Sequence, residues 1–137
     1  MDIELDMGLR EYRLGQGGVL YLNPTDPGLY ARFLQAEEKL RGLFQESTTG
    51  DFLESLQQLD GRIKELFNWV FGEPNDLHGI LRGVSLFSRG ENGKFLLENL
   101  LEALGPVLTQ GAKDCAREQA ILAKKQRDEK YGSVAAS

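Results

Sequence analysis

A chain of 137 residues that is 41% hydrophobic and 27% charged has the size and balance of one folded domain with a single core. Its formal net charge of −5 argues against a dedicated DNA-binding protein, because affinity for a phosphate backbone needs clustered Lys and Arg. A single cysteine, Cys115, and a single histidine, His78, exclude an intrachain disulfide and leave too few nitrogen and sulfur ligands for a typical zinc or copper site.

The chain opens Met1-Asp2-Ile3-Glu4, without the basic region and apolar core of a signal peptide. No apolar run approaches the roughly 20 residues needed to cross a bilayer. The expectation is a soluble, cytosolic protein in a reducing compartment, with neither a membrane nor a nucleic acid as partner.

In chain order, Ile3, Leu5 and Met7 alternate with acidic residues as in a strand, and Val19-Leu20-Tyr21-Leu22 forms a second, continuous apolar run. Between them Gly15-Gln16-Gly17-Gly18 suits a tight turn, so a small β-hairpin is expected over residues 1–22. Asn23-Pro24-Thr25-Asp26-Pro27 ends the strand; Thr25 or Asp26 can cap a helix whose first turn holds Pro27. Leu29, Phe33, Ala36, Leu40 and Leu43 then follow at helical spacing, with Arg32, Gln35, Glu38 and Lys39 on the solvated face.

Ser47-Thr48-Thr49-Gly50 breaks this helix, and Asp51 opens a second with a stripe of Phe52, Leu56, Leu59, Ile63, Leu66 and Val70. The short break predicts an antiparallel helical hairpin, and Gly72 stops the second helix. Pro74-Asn75-Asp76 caps a short helix from about Leu77 to Leu81. After Glu91-Asn92-Gly93 comes a long helix with Phe95, Leu96, Leu97, Leu100, Leu101 and Leu104 on its apolar face, expected to kink or break near Ala103 because of Pro106.

Beyond Gly111 large apolar residues thin out, while Lys, Arg, Glu, Gln and Ala favour helix without demanding burial. The expected architecture is α+β, mainly α: an N-terminal β-hairpin, three or four packed helices, and a helical C-terminal extension. The single globular domain spans residues 1–111, with its helical core at 26–108. Residues 112–137 form the charged extension, frayed from Gly132 to Ser137.

Candidates for chemistry each meet a stronger structural explanation. His78 has no nucleophile placed beside it by any motif, so a helix-surface histidine is expected. Cys115 fits an inert helical cysteine. Gly15-Gln16-Gly17-Gly18 lacks the following helix and the Lys-Ser/Thr pair of a phosphate loop. Glu4, Asp6, Glu11, Asp51, Asp60, Glu73, Asp76 and Glu91 are scattered without calcium-loop spacing, and most of them are expected on a solvated face. Lys124-Lys125-Gln126-Arg127 is diluted by Asp128 and Glu129 and has no aromatic platform for nucleic acid. No catalytic residue, cofactor or metal site is expected.

Two segments carry a family resemblance. One is Leu20-Tyr21-Leu22-Asn23-Pro24-Thr25-Asp26-Pro27-Gly28-Leu29-Tyr30-Ala31-Arg32-Phe33. The other is Leu66-Phe67-Asn68-Trp69-Val70-Phe71-Gly72, leading to Phe95-Leu96-Leu97-Glu98-Asn99-Leu100-Leu101. Over residues 20–108 the chain resembles the tail assembly chaperones of siphophages and Firmicutes prophages, in which a strand runs into an Asn-Pro-Thr-Asp helix start and a later helix ends in Phe-Gly before a Leu-rich helix. It departs from that pattern in the polar Asn68-Trp69 pair and in its long charged end.

The resemblance implies a protein of the host cytoplasm that coats the helical tape measure protein during tail assembly and is absent from the finished virion. Phe67, Trp69, Phe71, Leu77, Ile80, Leu81, Leu86 and Phe87 offer an apolar groove for such a partner; alternatively they form the core. Edge strands within residues 3–22 offer self-association between copies. The alternative function is a structural virion subunit, such as a neck, connector or tube-associated protein. An enzyme or nucleic-acid-binding regulator has only isolated residues in its favour.

Overall fold

A computed structural model describes the backbone of residues 1–46 and 50–135, and the side chains of those residues up to 129. The order of elements is β1 (Arg10–Arg13), β2 (Val19–Leu22), α1 (Pro27–Glu46), α2 (Phe52–Phe71), α3 (Leu77–Ile80) and α4 (Leu96–Ala135). The fold is α+β and mainly helical, with an N-terminal antiparallel hairpin followed by helices and a long C-terminal helix.

The first strand is not where alternation alone placed it. Residues 1–9 form no strand, and Ile3, Leu5 and Met7 stand 88%, 77% and 62% exposed. Strand β1 instead uses Arg10, Glu11, Tyr12 and Arg13, in register with Leu22, Tyr21, Leu20 and Val19. The turn decides this: the Leu14 N–H donates to Gly18 O at 3.1 Å and Gly17 N–H to Leu14 O at 2.7 Å, so the pairing residues must be those next to the turn. Leu20 and Leu22 point into the core from β2.

The turn into α1 is held by side chains. Asn23 Oδ1 accepts from the Thr25 N–H and hydroxyl, and Asp26 Oδ1 accepts from the Gly28 N–H at 2.9 Å, so Asp26 is the residue that caps. Leu29, Phe33, Ala36 and Leu40 are buried as their spacing requires, and Leu43 is half-buried.

The expected break at 47–50 falls partly on Ser47, Thr48 and Thr49, which lie outside the described residues. Asp51 caps α2 by accepting from the Leu53 N–H, and Gly72 closes it at φ 74°, its N–H donating to Asn68 O. Helices α1 and α2 run antiparallel: Arg32 Nε donates to Val70 O at 2.9 Å near one end, and Arg62 pairs with Glu46 at 3.4 Å near the other. Leu59, Ile63, Phe67 and Val70 are buried, but Phe52 is 73% exposed, because the first turn of α2 overhangs the core.

The segment after α2 is fastened by the Asn68 side-chain amide and two carboxylates. Asn68 Oδ1 accepts from the Leu77 N–H at 2.6 Å, and Asp76 caps α3 through the His78 N–H. Asp60 Oδ1 accepts from the Leu86 N–H at 2.8 Å, and its other oxygen lies 2.9 Å from Lys64 Nζ. Asp60 is therefore no solvated acid: the Asp60 and Lys64 side chains are only 15% and 5% exposed.

Helix α4 starts at Leu96. Phe95 precedes it in an isolated bridge with Arg89 and is 37% exposed, so it does not belong to the helix's buried face. Leu97, Leu100, Leu104 and Leu108 bury the docked half. The helix continues through Pro106 without a break at Ala103. Proline deprives the Glu102 carbonyl of its helical partner, but Glu102 and Pro106 are both exposed, so water can take its place. Helical backbone reaches Ala135; Ala136 and Ser137 of the expected frayed end lie outside the described residues.

Candidate functional site

The eight apolar residues named as a possible groove do not share a surface. Phe67, Leu77 and Leu86 are 0% exposed, and Phe71, Ile80 and Leu81 are buried beside them. Phe67 stacks on Phe71 with ring centroids 5.9 Å apart. These six fill the space where the hairpin, α2, α3 and the loop before α4 converge, so in the folded chain they are committed to the core. Phe87 is half-buried, and Trp69 is 43% exposed.

Trp69 stands at the side of an open groove of about 470 Å³ between α1 and α2. Lys39, Gly42, Leu43 and Glu46 line it from α1, and Arg62, Glu65, Leu66 and Trp69 from α2. Gly42 has open space where a Cβ would stand, which leaves the groove unobstructed on the α1 side. Lys39 Nζ sits 4.2 Å above the Trp69 ring centroid, a cation–π contact that orients the indole while leaving much of it in water. The arrangement is an apolar floor with basic and acidic residues on both helices, suited to binding an amphipathic side-chain row.

Sequence reasoning found Trp69 but missed its neighbours. Residues 62, 65, 66 and 69 follow the i, i+3, i+4, i+7 pattern of one helix face, and residues 39, 42, 43 and 46 repeat it on α1. That double pattern is the available signal. It was obscured because Lys39 reads as a solvent residue and Leu43 and Leu66 as core residues.

A second aromatic feature lies at the far end of α1. Phe44, 45% exposed, meets Phe87 edge-on at 6.2 Å, and Phe87 meets Phe95 at 6.4 Å. Arg89 lies 5.1 Å from the Phe95 ring centroid. The row joins α1, the loop and the start of α4, which explains its aromatic content structurally.

The remaining candidates are separate from one another. His78 is exposed on α3. Cys115 is half-buried on α4, its Sγ 3.7 Å from Gln119 Nε2. The glycine turn is occupied by its own fold: the Gly18 N–H donates to Ile80 O at 2.7 Å, and a Cβ on Gly17 would press against that same carbonyl. Lys124, Lys125 and Arg127 are exposed on α4. Among the described residues no group of three or more His, Cys, Asp or Glu side chains is placed to hold a metal ion, and no helix is long and apolar enough to cross a membrane.

Among the described residues one ionisable group is clearly displaced. The Lys94 ammonium is held above its usual value by its hydrogen bond to Glu102 and the charge of that carboxylate, with Glu98 adding a smaller contribution. Both Lys94–Glu102 contacts, at 2.9 and 3.0 Å, tie the turn before α4 to its second turn and touch no groove residue. Compared with family models, with curated proteins and with solved structures, the chain matches none of them.

Proposed function

We infer that this chain is a non-catalytic binding protein: a phage tail assembly chaperone that keeps the helical tape measure protein soluble in the host cytoplasm until the tail tube encloses it. The observation that carries it is the groove between α1 and α2. Its exposed indole and half-buried leucines give an apolar strip, flanked by Lys39 and Arg62 on one hand and Glu46 and Glu65 on the other. A tape measure protein is a long series of amphipathic helical turns, which aggregates through its apolar stripe before assembly. A shallow, two-signed groove covers such a stripe without demanding one sequence, and releases it because little surface is buried at each contact. The resemblance of residues 20–108 to tail assembly chaperones supports the same reading.

The test is co-expression with the longest helical reading frame of the neighbouring tail genes. The wild-type chain is expected to bring that protein into the soluble fraction and co-purify with it. Trp69→Ala, which removes a half-exposed side chain, is expected to lose most of the co-purification while melting like the wild type. A tape measure protein that stays insoluble, together with this chain appearing in purified particles, would establish a structural subunit instead.

A further inference from the structure

The two edges of the hairpin are not equivalent. On β2 the Tyr21 N–H donates to Asn75 Oδ1 at 2.8 Å, and Asn75 Nδ2 donates back to Tyr21 O at 2.7 Å, so one buried side-chain amide occupies the place of a third strand. On β1 nothing corresponds. The Leu14–Gly18 hydrogen bond sets the phase of the ladder, turning the backbones of Arg10 and Tyr12 towards β2 and those of Glu11 and Arg13 outwards. No third strand pairs with β1 among the described residues.

Beside β1 on its inner face lies a groove of about 340 Å³, lined by Arg10, Tyr12, Pro24, Pro106, Val107 and Gln110 among others. A strand added to β1 would therefore place alternate side chains over Val107 and Pro106. Those side chains should be apolar, and the ones between them should face water.

Among the described residues, Asp2-Ile3-Glu4-Leu5-Asp6-Met7 is a segment outside any strand with that alternation. Its own hairpin holds it away from β1. Asn23 Nδ2 donates to Met7 O at 3.0 Å, and Gly8, at φ 69°, turns the chain beside Asn23, beyond the end of β2. On the outward face its carboxylates would also meet Arg13 of β1, which complements them beside Glu11. At about 3.3 Å per residue, such a segment spans the whole of a four-residue strand.

We propose that residues 2–7 of a second copy add to the outer edge of β1 as a third strand, reciprocally, giving a two-fold dimer with exchanged N-terminal arms. The inward Ile3, Leu5 and Met7 fill the groove over Val107, and the outward backbone of Glu11 and Arg13 carries the hydrogen bonds.

The experiment is light scattering or sedimentation of the full chain from low to high micromolar concentration, with two variants. Ile3→Asp/Leu5→Asp changes side chains that are 88% and 77% exposed in the single chain, so the fold is unaffected. Glu11→Pro removes an outward N–H while keeping the hairpin's own bonds. The wild type is expected to dimerise with concentration, and each variant to weaken the dimer by at least about tenfold, or 1.4 kcal/mol. Mixing the two monomeric variants is expected to restore part of the association, because one intact arm then meets one intact edge. A wild type that stays monomeric throughout overturns the proposal, as does a dimer that neither variant weakens, or a mixture that recovers nothing. None of these readouts depends on a tape measure protein, so the dimer and the chaperone role fail or stand separately.

Discussion

Asp60 carries two unrelated tasks in one carboxylate: it receives the Leu86 N–H and faces the Lys64 ammonium. The ammonium is buried, and Asp60 neutralises it by charge rather than by a well-aligned hydrogen bond. Removing the carboxylate strands a buried cation and a buried N–H together. Asp60→Ala is therefore expected to cost about 3 kcal/mol in denaturant unfolding. Adding Lys64→Met should recover part of that loss, since the stranded charge goes with it. Additive losses in the double variant would show that the pair is not coupled. The sequence offered one hint of this pair, an acid and a base at i, i+4 on the border of the α2 stripe. It could not show that the border turns inward, because the loop that covers it is folded by contacts from elsewhere in the chain.

At the scale of elements, helix type and boundaries were legible wherever a cap and an apolar period agreed. Asp26, Asp51, Gly72 and Asp76 all stand where their chemistry placed them. The N-terminal strand was misplaced because alternation in residues 3–7 is a local signal, whereas β1 is chosen by the turn and by the partner strand. Glycines inside helices separate in the same way. Gly61 on α2 is exposed with open space around it, so Gly61→Ala is expected to stabilise the fold by about 0.5–1 kcal/mol, read from the denaturation midpoint. Gly111 on α4 is buried, and a methyl there would overlap the Pro24 carbonyl. Gly111→Ala should destabilise by about 1–3 kcal/mol, as overpacking does. Both glycines look alike in sequence; only the crossing of α4 over the Asn23-Pro24 turn distinguishes them.

Taken whole, the molecule is a packed body from which one helix projects. Leu97, Leu100, Leu104, Leu108 and Gly111 fix the first part of α4, while described side chains after residue 115 are exposed, including Ile121 and Leu122 at 61% and 54%. Helical stability beyond that point rests on propensity rather than packing. Hydrogen exchange should divide α4 sharply, with strong protection from about Leu100 to Gly111 and rapid exchange after Arg117; uniform protection along the helix would contradict this division. The groove was only partly legible, since most apolar residues near Trp69 in sequence turn inward and its real neighbours come from α1. The Asn75 amide has a further consequence at this scale. A two-stranded ribbon with both margins open is a template on which copies can stack indefinitely, as in a fibril. Because one margin is already filled by a side chain of the same chain, any sheet built on this hairpin can grow in a single direction only, outward from β1.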